Sequence, residues 1–243
     1  MNAGRVAVVT GAASGIGLAT ARRLAAQGWR LALADLDAGA VKDVAGFPLD
    51  GHLVQATDIA DSDAVTALFA RVGAELGPVR AVANVAGLTV VEDGRIEDVS
   101  VETFDRVVGV NLRGTFLMCK AAIPALRAAG GGAIVNVGSV ASVKGTGGVS
   151  YVSSKHGVLG LSRQIAYRYA AEGIRCTVVA PGPTATPMIA IARAKGAVQT
   201  VPGVVPRDAE ADEVASLIVY LFSDDAAMIT GSVHVVDGGM SQH

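Results

Sequence analysis

The chain has 243 residues, of which 51% are hydrophobic and 17% are charged, and its formal net charge is −2. This length and composition are typical of a single α/β domain with a large buried core. Only 4% of the residues are aromatic and no cluster of Lys or Arg occurs, which argues against a nucleic-acid-binding surface because such surfaces need positive charge and stacking rings.

The sequence also indicates the cellular compartment and whether disulfides or metal sites are present. No uninterrupted run of about 18 apolar residues occurs, so we expect no membrane-spanning helix and no membrane partner. The first residues run almost directly into a strand-like segment and resemble no signal peptide, so we expect a cytoplasmic protein. Cys119 and Cys176 lie far apart in apolar contexts, which favours two buried thiols over a disulfide or a zinc site, and no metal site is predicted.

Short β-branched segments alternate with longer segments rich in Ala and Leu. The predicted strands are 5–10, 30–35, 52–57, 79–85, 133–139, 175–180 and 233–238. Most of them are nearly continuously apolar, as is typical of parallel strands that are buried on both faces. The alternation predicts an α/β, Rossmann-like, doubly wound parallel sheet in a single domain that comprises residues 1–243.

The predicted helices are 15–27, 61–76, 101–129 and 157–172. Gly28 and Gly173 follow two of them and can end a helix in the left-handed conformation. Asp61 is the predicted N-cap of the second, and Pro124 lies within the third, where proline can kink a helix. The proline-rich segment 181–209 is the least regular part of the chain, and we interpret it as a lid or binding loop.

A glycine-rich turn, "VVTGAASGIG" (8–17), joins the first predicted strand to the first helix. Its glycines are Gly11, Gly15 and Gly17. Glycines let backbone N–H groups approach a pyrophosphate, whose charge is favoured at a helix N-terminus. Asp35 ends the second strand, where a carboxylate can bind both hydroxyls of an adenosine ribose and would repel a 2′-phosphate. Neither Ser14 nor residues 36–37 supply a positive charge, so the sequence favours NAD over NADP.

This turn and several later motifs resemble the short-chain dehydrogenase/reductase family, in the family's order and over almost the whole chain. The matching segments are "TGAASGIG" (10–17), "TDI" (57–59), "NVAG" (84–87), Asn111, Ser139, "YVSSK" (151–155) and "PGPTATPM" (181–188). Val85 stands where the family usually has a second asparagine, and we expect little loss from this change. The resemblance implies a seven-stranded sheet in the order 3-2-1-4-5-6-7 with helices on both faces.

The resemblance also implies a set of cofactor-binding residues. They are Gly11, Ser14, Gly15, Ile16, Gly17, Asp35, Asp58, Ile59, Asn84, Ala86, Gly87, Tyr151, Lys155, Pro181, Gly182, Thr184 and Thr186. In the family, the residues at Asp58 and Ile59 border the adenine, and those at Thr184 and Thr186 lie beside the nicotinamide carboxamide. Asn84 is expected to line the cofactor groove.

Four residues are predicted to be catalytic. Tyr151 and Lys155 are four residues apart and therefore share one face of a helix. A free tyrosine has a pKa of about 10, and we expect a nearby ammonium and a positive nicotinamide to lower that pKa. Ser139 ends the fifth strand and can hydrogen-bond the substrate oxygen. The resemblance implies that Asn111 holds a water that relays the proton from Lys155.

The substrate is predicted to be a neutral, fairly apolar secondary alcohol or ketone. In the family the pocket is bordered by segments that correspond to 88–94 and 140–148 and by a loop at about 187–205. The expected walls are Val90, Val91, Val143, Met188 and Ile189. No paired Arg or Lys is present there to hold a carboxylate or phosphate, so we predict an NAD(H)-dependent alcohol dehydrogenase or ketone reductase.

Two alternatives stay open. A 3-ketoacyl-thioester reductase would usually use NADPH, against which Asp35 argues. A non-catalytic dinucleotide-binding sensor would not need Tyr151, Lys155 and Ser139, which are all present. The resemblance also implies a homotetramer, assembled through helices 101–129 and 150–172 and the last strand region.

Overall fold

The computed structural model describes residues 4–196 and 205–242. The strands in these residues are β1 (Val6–Thr10), β2 (Arg30–Asp35), β3 (Leu53–Ala56), β4 (Val79–Asn84), β5 (Gly132–Val137), β6 (Ile174–Pro181), β7 (Thr184–Ala185), β8 (Ala209–Glu210) and β9 (Val233–Val236). Within the described chain, seven of them form one parallel sheet in the order β3-β2-β1-β4-β5-β6-β9, which confirms the predicted topology. β7 and β8 pair separately, also in parallel.

Along the chain, helices connect the strands of this sheet. They are α1 (Gly15–Ala26), α2 (Ala38–Val44), α3 (Ser62–Glu75), α4 (Val101–Val108), α5 (Thr115–Ala128), α6 (Val149–Tyr169), α7 (Pro187–Ala194) and α8 (Ala211–Leu221). The predicted caps are present. The Asp61 carboxylate accepts hydrogen bonds from two N–H groups in the first turn of α3, and Gly28 and Gly173 have φ values of 79° and 70°.

The core consists of two apolar layers, one on each face of the sheet. Side chains of α1 and α8, such as Leu24 and Ile218, cover one face. Side chains of α3 and α5, such as Leu68 and Met118, cover the other. Both faces are covered, so the apolar side chains of β1 and β4 are buried, and burial of each large aliphatic side chain contributes about 1.5–3 kcal/mol. This sandwich fixes the positions of the strand ends, where ligands bind in open parallel sheets.

The prediction of a single long helix over 101–129 is wrong in one respect. Residues Gly109–Gly114 form a π-helical stretch that separates α4 from α5. Thr115 follows this stretch, and its hydroxyl donates to the Asn111 carbonyl at 2.7 Å. Pro124 lies inside α5, which continues to Ala128. Single π-helical turns often occur at functional sites, and this one carries Asn111.

Segment 181–209 is more regular than predicted where it is described, because it contains β7, α7 and β8. The predicted substrate loop at about 187–205 is only partly described, since residues 197–204 lie outside the described ranges. Cys119 and Cys176 are buried free thiols, which confirms the prediction for them. Across the described ranges, none of the helices combines the length and the apolar character that crossing a membrane requires.

Candidate active site

A cavity of about 400 Å³ opens at the carboxyl ends of the central strands. Most of the predicted site residues line it, and these are Gly11, Ser14, Gly15, Ile16, Gly17, Ala86, Gly87, Ser139, Tyr151, Lys155, Pro181, Gly182, Thr184 and Thr186. The predicted residues that are not in its wall are Asp35, Asp58, Ile59, Asn84 and Asn111. The fold therefore brings the glycine turn and the Tyr–Lys pair, which are far apart in sequence, to one cavity.

The three glycine positions of the glycine turn leave little room for a side chain. Gly11 and Gly15 have φ values of 68° and 50°, in the left-handed region that favours glycine. A Cβ atom on Gly17 would lie 2.0 Å from the Gly11 carbonyl oxygen. A Cβ atom on Gly15 would lie 2.8 Å from Cγ2 of Thr186. The cavity is therefore bordered here by bare backbone at the start of α1, which suits the close approach of a phosphate.

Thr10 holds this turn against the end of β4, a role that the sequence analysis missed. Its hydroxyl oxygen accepts hydrogen bonds from the N–H groups of Val85 and Ala86, at 3.0 and 3.1 Å. A buried threonine at the last position of β1 is the signal that could have indicated this. Val85, the departure from the family pattern, uses its backbone in this contact and lines the cavity.

Three predicted cofactor residues lie beyond the cavity wall, after β2 and β3. Asp35 ends β2, and its carboxylate accepts a hydrogen bond from the N–H of Ala13, in the glycine turn, at 2.9 Å. Asp58 is exposed and accepts from the N–H of Ala60 at 2.8 Å. Ile59 is 6% exposed and belongs to the core. Of the three, only Asp35 makes a hydrogen bond to the glycine turn.

The side chain of Asn84 does not line the cavity, which corrects the expectation for this residue. It is 4% exposed and donates hydrogen bonds to the Asn136 side-chain oxygen at 2.8 Å and to the Cys119 sulfur at 3.4 Å. Asn84 and Asn136 are register partners in β4 and β5, so their side chains leave the sheet side by side. Asn84 therefore joins two strands beneath the site.

Asn111 lies behind the cavity and is 1% exposed. It exchanges two hydrogen bonds with the backbone of Leu88, at 2.8 and 2.9 Å, and donates to the Ser154 hydroxyl at 3.2 Å. A Cβ atom placed on Gly87 would lie 3.1 Å from the side-chain oxygen of Asn111 and 3.5 Å from Nζ of Lys155. Asn111 is thus close to Lys155, and its water-holding role stays a prediction.

Ser139, Tyr151 and Lys155 meet at the wall of the cavity. The Ser139 side chain is hydrogen-bonded to the Tyr151 phenol, and its oxygen also accepts from the N–H of Ala141 at 3.1 Å. The Lys155 ammonium lies 5.6 Å from the centre of the Tyr151 ring and donates to the carbonyl of Val137 at 2.9 Å. The structure thus places a hydroxyl, a phenol and an ammonium together.

Burial dominates the acid–base properties of this group. It raises the pKa of Tyr151 above its usual value, and the hydrogen bond from Ser139 offsets part of that rise. Burial also lowers the pKa of Lys155 to about 8. The expected lowering of the phenol pKa is therefore not achieved by the protein's own groups. At neutral pH the site holds a neutral phenol beside a charged ammonium.

The rest of the cavity lining is largely apolar. Of the expected walls, Val90, Met188 and Ile189 line it, whereas Val91 and Val143 do not and are 37% and 42% exposed. Other lining residues were not named among the expected walls: Thr89, Asp93, Val140, Ala141 and Thr146 lie in the predicted bordering segments 88–94 and 140–148, whereas Met240 lies outside them. Among the described lining residues, Lys155 is the only one with a positive charge.

Comparison with known proteins extends over nearly the whole chain. A sequence model of the family described as enoyl-(acyl carrier protein) reductase matches residues 11–241. The cis-4-hydroxycyclohexanecarboxylate dehydrogenase of Sinomonas cyclohexanicum is 42% identical over 240 residues, which cover 97% of this chain and 96% of the relative. The cyclohexanol dehydrogenase of Acinetobacter sp. (strain SE19) is 38% identical and covers 96% of this chain and 94% of its own length.

Solved structures show the same similarity. The crystal structure of a short-chain dehydrogenase from Mycobacterium paratuberculosis bound to NAD superposes with a TM-score of 0.91 at 27% identity. The alignment covers 100% of this chain and 99% of that one. The similarity therefore covers this chain and these proteins nearly from end to end, and the fold agrees with that of the solved structure.

Proposed function

Because the chain belongs to the short-chain dehydrogenase/reductase family, we propose that it interconverts a neutral secondary alcohol and its ketone with NAD(H). The observation that carries this proposal is the contact of Ser139, Tyr151 and Lys155 in the cavity that the glycine turn also lines. An oxidoreductase needs both parts, since one binds the cofactor and the other moves a proton.

The residues present fit a nicotinamide dinucleotide. The glycines let the turn that lines the cavity pack backbone against backbone, because a Cβ atom on Gly17 would overlap the Gly11 carbonyl oxygen, and the N-terminus of α1 favours the pyrophosphate charge. Asp35 would hold the adenosine ribose and disfavour a 2′-phosphate. A bound nicotinamide would supply the acceptor and donor of hydride for the substrate carbon. This set of residues supports NAD over NADP.

The chain's own groups would handle the proton. In ketone reduction the neutral Tyr151 donates its phenolic proton to the carbonyl oxygen, and in alcohol oxidation the phenolate accepts it. Ser139 donates a hydrogen bond to the same oxygen and stabilises its developing charge. Lys155 is charged below its pKa of about 8, and its charge together with that of an oxidised nicotinamide, when bound, would favour the phenolate.

The lining of the cavity supports a neutral substrate. A carboxylate or phosphate on the substrate would need a cation other than Lys155, and the described lining residues include none. Residues 197–204, "AVQTVPGV", carry no charged side chain either. The Asp93 carboxylate in the wall would repel an anion. An alcohol such as cyclohexanol therefore fits this cavity better than its 4-carboxylate.

Steady-state kinetics with matched substrates test the proposal. With cyclohexanol, kcat/KM should be higher with NAD⁺ than with NADP⁺, and higher than with cis-4-hydroxycyclohexanecarboxylate. Asp35→Ala should reduce the preference for NAD⁺, whereas Asp43→Ala, a change of the same charge on exposed α2, should leave it unchanged. Higher kcat/KM with NADP⁺ would overturn the cofactor assignment. Faster turnover of a 3-hydroxyacyl thioester than of any simple alcohol would favour the thioester reductase.

We also propose that the protein assembles as a homotetramer. Large apolar side chains are exposed along α4, α5 and α6, including Phe104, Phe116 and Tyr167, the last of which is 89% exposed. Exposed apolar surface of this kind favours association. Light scattering should give four times the mass of the 24.4 kDa chain, and a monomer at micromolar concentration would contradict the assignment.

A further inference from the structure

The start of α6, which carries Tyr151, lacks a capping side chain of its own. The N-cap position is Gly148, which has no side chain, and the first turn contains no acidic residue. The first N–H groups of a helix have no partner within the helix and must find one elsewhere. The partner here comes from a distant part of the chain.

Asp93 supplies it. One carboxylate oxygen accepts a hydrogen bond from the N–H of Ser150 at 2.9 Å, and the other accepts from the N–H of Tyr151 at 2.8 Å. Asp93 precedes these residues by 57 and 58 positions. The carbonyl of the next residue, Gly94, accepts from the N–H of Val149 at 3.1 Å. A negative charge at this end of a helix is also favoured by the helix dipole.

Gly148 permits this contact. A Cβ atom at that position would lie 2.3 Å from Cγ of Asp93 and 2.5 Å from its carbonyl oxygen. Asp93 is itself held in a turn by a hydrogen bond from its N–H to the carbonyl of Val90 at 3.3 Å. The segment after β4 and the first turn of α6 are therefore packed without a gap.

We propose that Asp93 is a positioning residue that places the catalytic phenol through the main chain of Tyr151. It bonds the N–H of the residue whose side chain exchanges the proton, and it lines the cavity beside Val90. The segment that borders the substrate and the helix that carries the phenol are thereby joined. This inference rests on the proposed function, because the effect on rate requires Tyr151 to act as acid and base.

Four variants test the contact. Asp93→Ala removes both acceptor oxygens, and misplacement of the phenol should lower kcat about tenfold to a hundredfold, with Kd for NADH unchanged. Asp93→Asn keeps one acceptor oxygen and should give an intermediate kcat. Gly148→Ala displaces an intact Asp93 and should reproduce the fall in kcat. Glu92→Ala removes the same charge from the exposed neighbouring residue and should change kcat by less than about twofold.

Amide hydrogen exchange provides a readout that does not depend on turnover. Peptides that cover 148–155 should exchange faster in Asp93→Ala than in the wild type, and those of Glu92→Ala should not. Unchanged kcat, or unchanged exchange, in Asp93→Ala would overturn the positioning role. If the wild type oxidises no secondary alcohol, the proposed function fails, and the exchange rates still decide whether Asp93 holds the helix.

Discussion

Two helix N-termini border the same cavity, and they are used in opposite ways. α1 begins at the glycine turn, where the N-cap Ser14 makes no side-chain hydrogen bond to the first turn and no acidic residue lies in that turn. α6 begins with its N–H groups bound to Asp93. The open end of α1 can accept the negative charge of a ligand, whereas the end of α6 already holds a carboxylate of the protein.

The two regions also differ in how the sequence specifies them. The start of α1 is specified by missing side chains, because a Cβ atom on Gly17 would overlap the Gly11 carbonyl. The first turns of α6, by contrast, carry Lys155, which is 5% exposed and charged at neutral pH. Burial of such a charge costs free energy. We therefore expect NADH binding to be sensitive to atoms added at the start of α1, and kcat to be sensitive to atoms removed from the side chains of α6.

The largest effect should follow from Tyr151→Phe, which removes only the phenolic oxygen. Loss of a general acid and base should lower kcat about 10²- to 10⁴-fold. Kd for NADH, measured by fluorescence titration, should stay unchanged because the glycine turn is untouched. The control is Tyr220→Phe, at an exposed position of α8, which should leave both kcat and Kd unchanged. A weakened NADH affinity in Tyr151→Phe would show that the two regions are not separate.

Gly17→Ala should produce the converse result. The new methyl group would meet the Gly11 carbonyl oxygen at 2.0 Å, so α1 must move away from β1. Overpacking of this kind costs about 1–3 kcal/mol of stability. We expect Kd for NADH to rise at least about tenfold, which corresponds to about 1.4 kcal/mol. Unchanged NADH binding in this variant would contradict the assignment of the glycine turn.

The contrast explains which parts of the site were predictable from the sequence. The glycines and the Tyr151–Lys155 spacing depend on local geometry and on a family pattern, so they were found. Asp93 was not found, because its partner amides lie 57 and 58 residues away, and the neighbouring Glu92 carries the same charge. A contact between a carboxylate and backbone amides that are so far away in the sequence leaves no periodic signal.

Other differences have the same origin. The seven strands were predicted because most of the strand segments are nearly continuously apolar, whereas their order was implied by the family resemblance, and the structure agrees with both. The side-chain direction of Asn84 was not, because it depends on the pleat at the last residue of β4, next to Asn136. The π-helical stretch Gly109–Gly114 interrupts a segment whose local composition is compatible with an ordinary α-helix. Tertiary contacts decide both features.

Lys155→Met should stabilise the protein while it removes activity. Lowering the pKa of Lys155 from 10.5 to about 8 corresponds to roughly 3 kcal/mol at neutral pH, at 1.36 kcal/mol for each pKa unit. The variant also loses the hydrogen bond to the Val137 carbonyl, which costs about 1–2 kcal/mol. We therefore expect a net gain of about 1–2 kcal/mol in the free energy of unfolding at pH 7.

The pH dependence of that gain follows from proton binding. Between pH about 8 and 10.5 the unfolded chain binds a proton at this lysine that the folded protein has lost, so wild-type stability rises with pH. The advantage of the variant should thus be full below pH about 8, vanish between pH about 8 and 10.5, and become a deficit of about 1–2 kcal/mol above that range, where the lost hydrogen bond remains. Urea unfolding at several pH values measures it, with Lys42→Met on exposed α2 as the control. A gain that does not depend on pH would contradict a buried charge.

The smallest effect should come from Gly73→Ala, which compares a glycine in a helix away from the cavity with Gly17 in α1. Gly73 lies in exposed α3, and a Cβ atom there would meet nothing within 4 Å. Alanine restricts the unfolded chain and favours the helix, so stability should rise by about 0.5–1 kcal/mol, or about 1–4 °C in Tm. NADH binding should not change. The same substitution would then stabilise α3 and disrupt α1, because a Cβ atom on Gly17 would meet a backbone carbonyl and one on Gly73 would meet nothing. Destabilisation by Gly73→Ala would contradict this difference between the two helices.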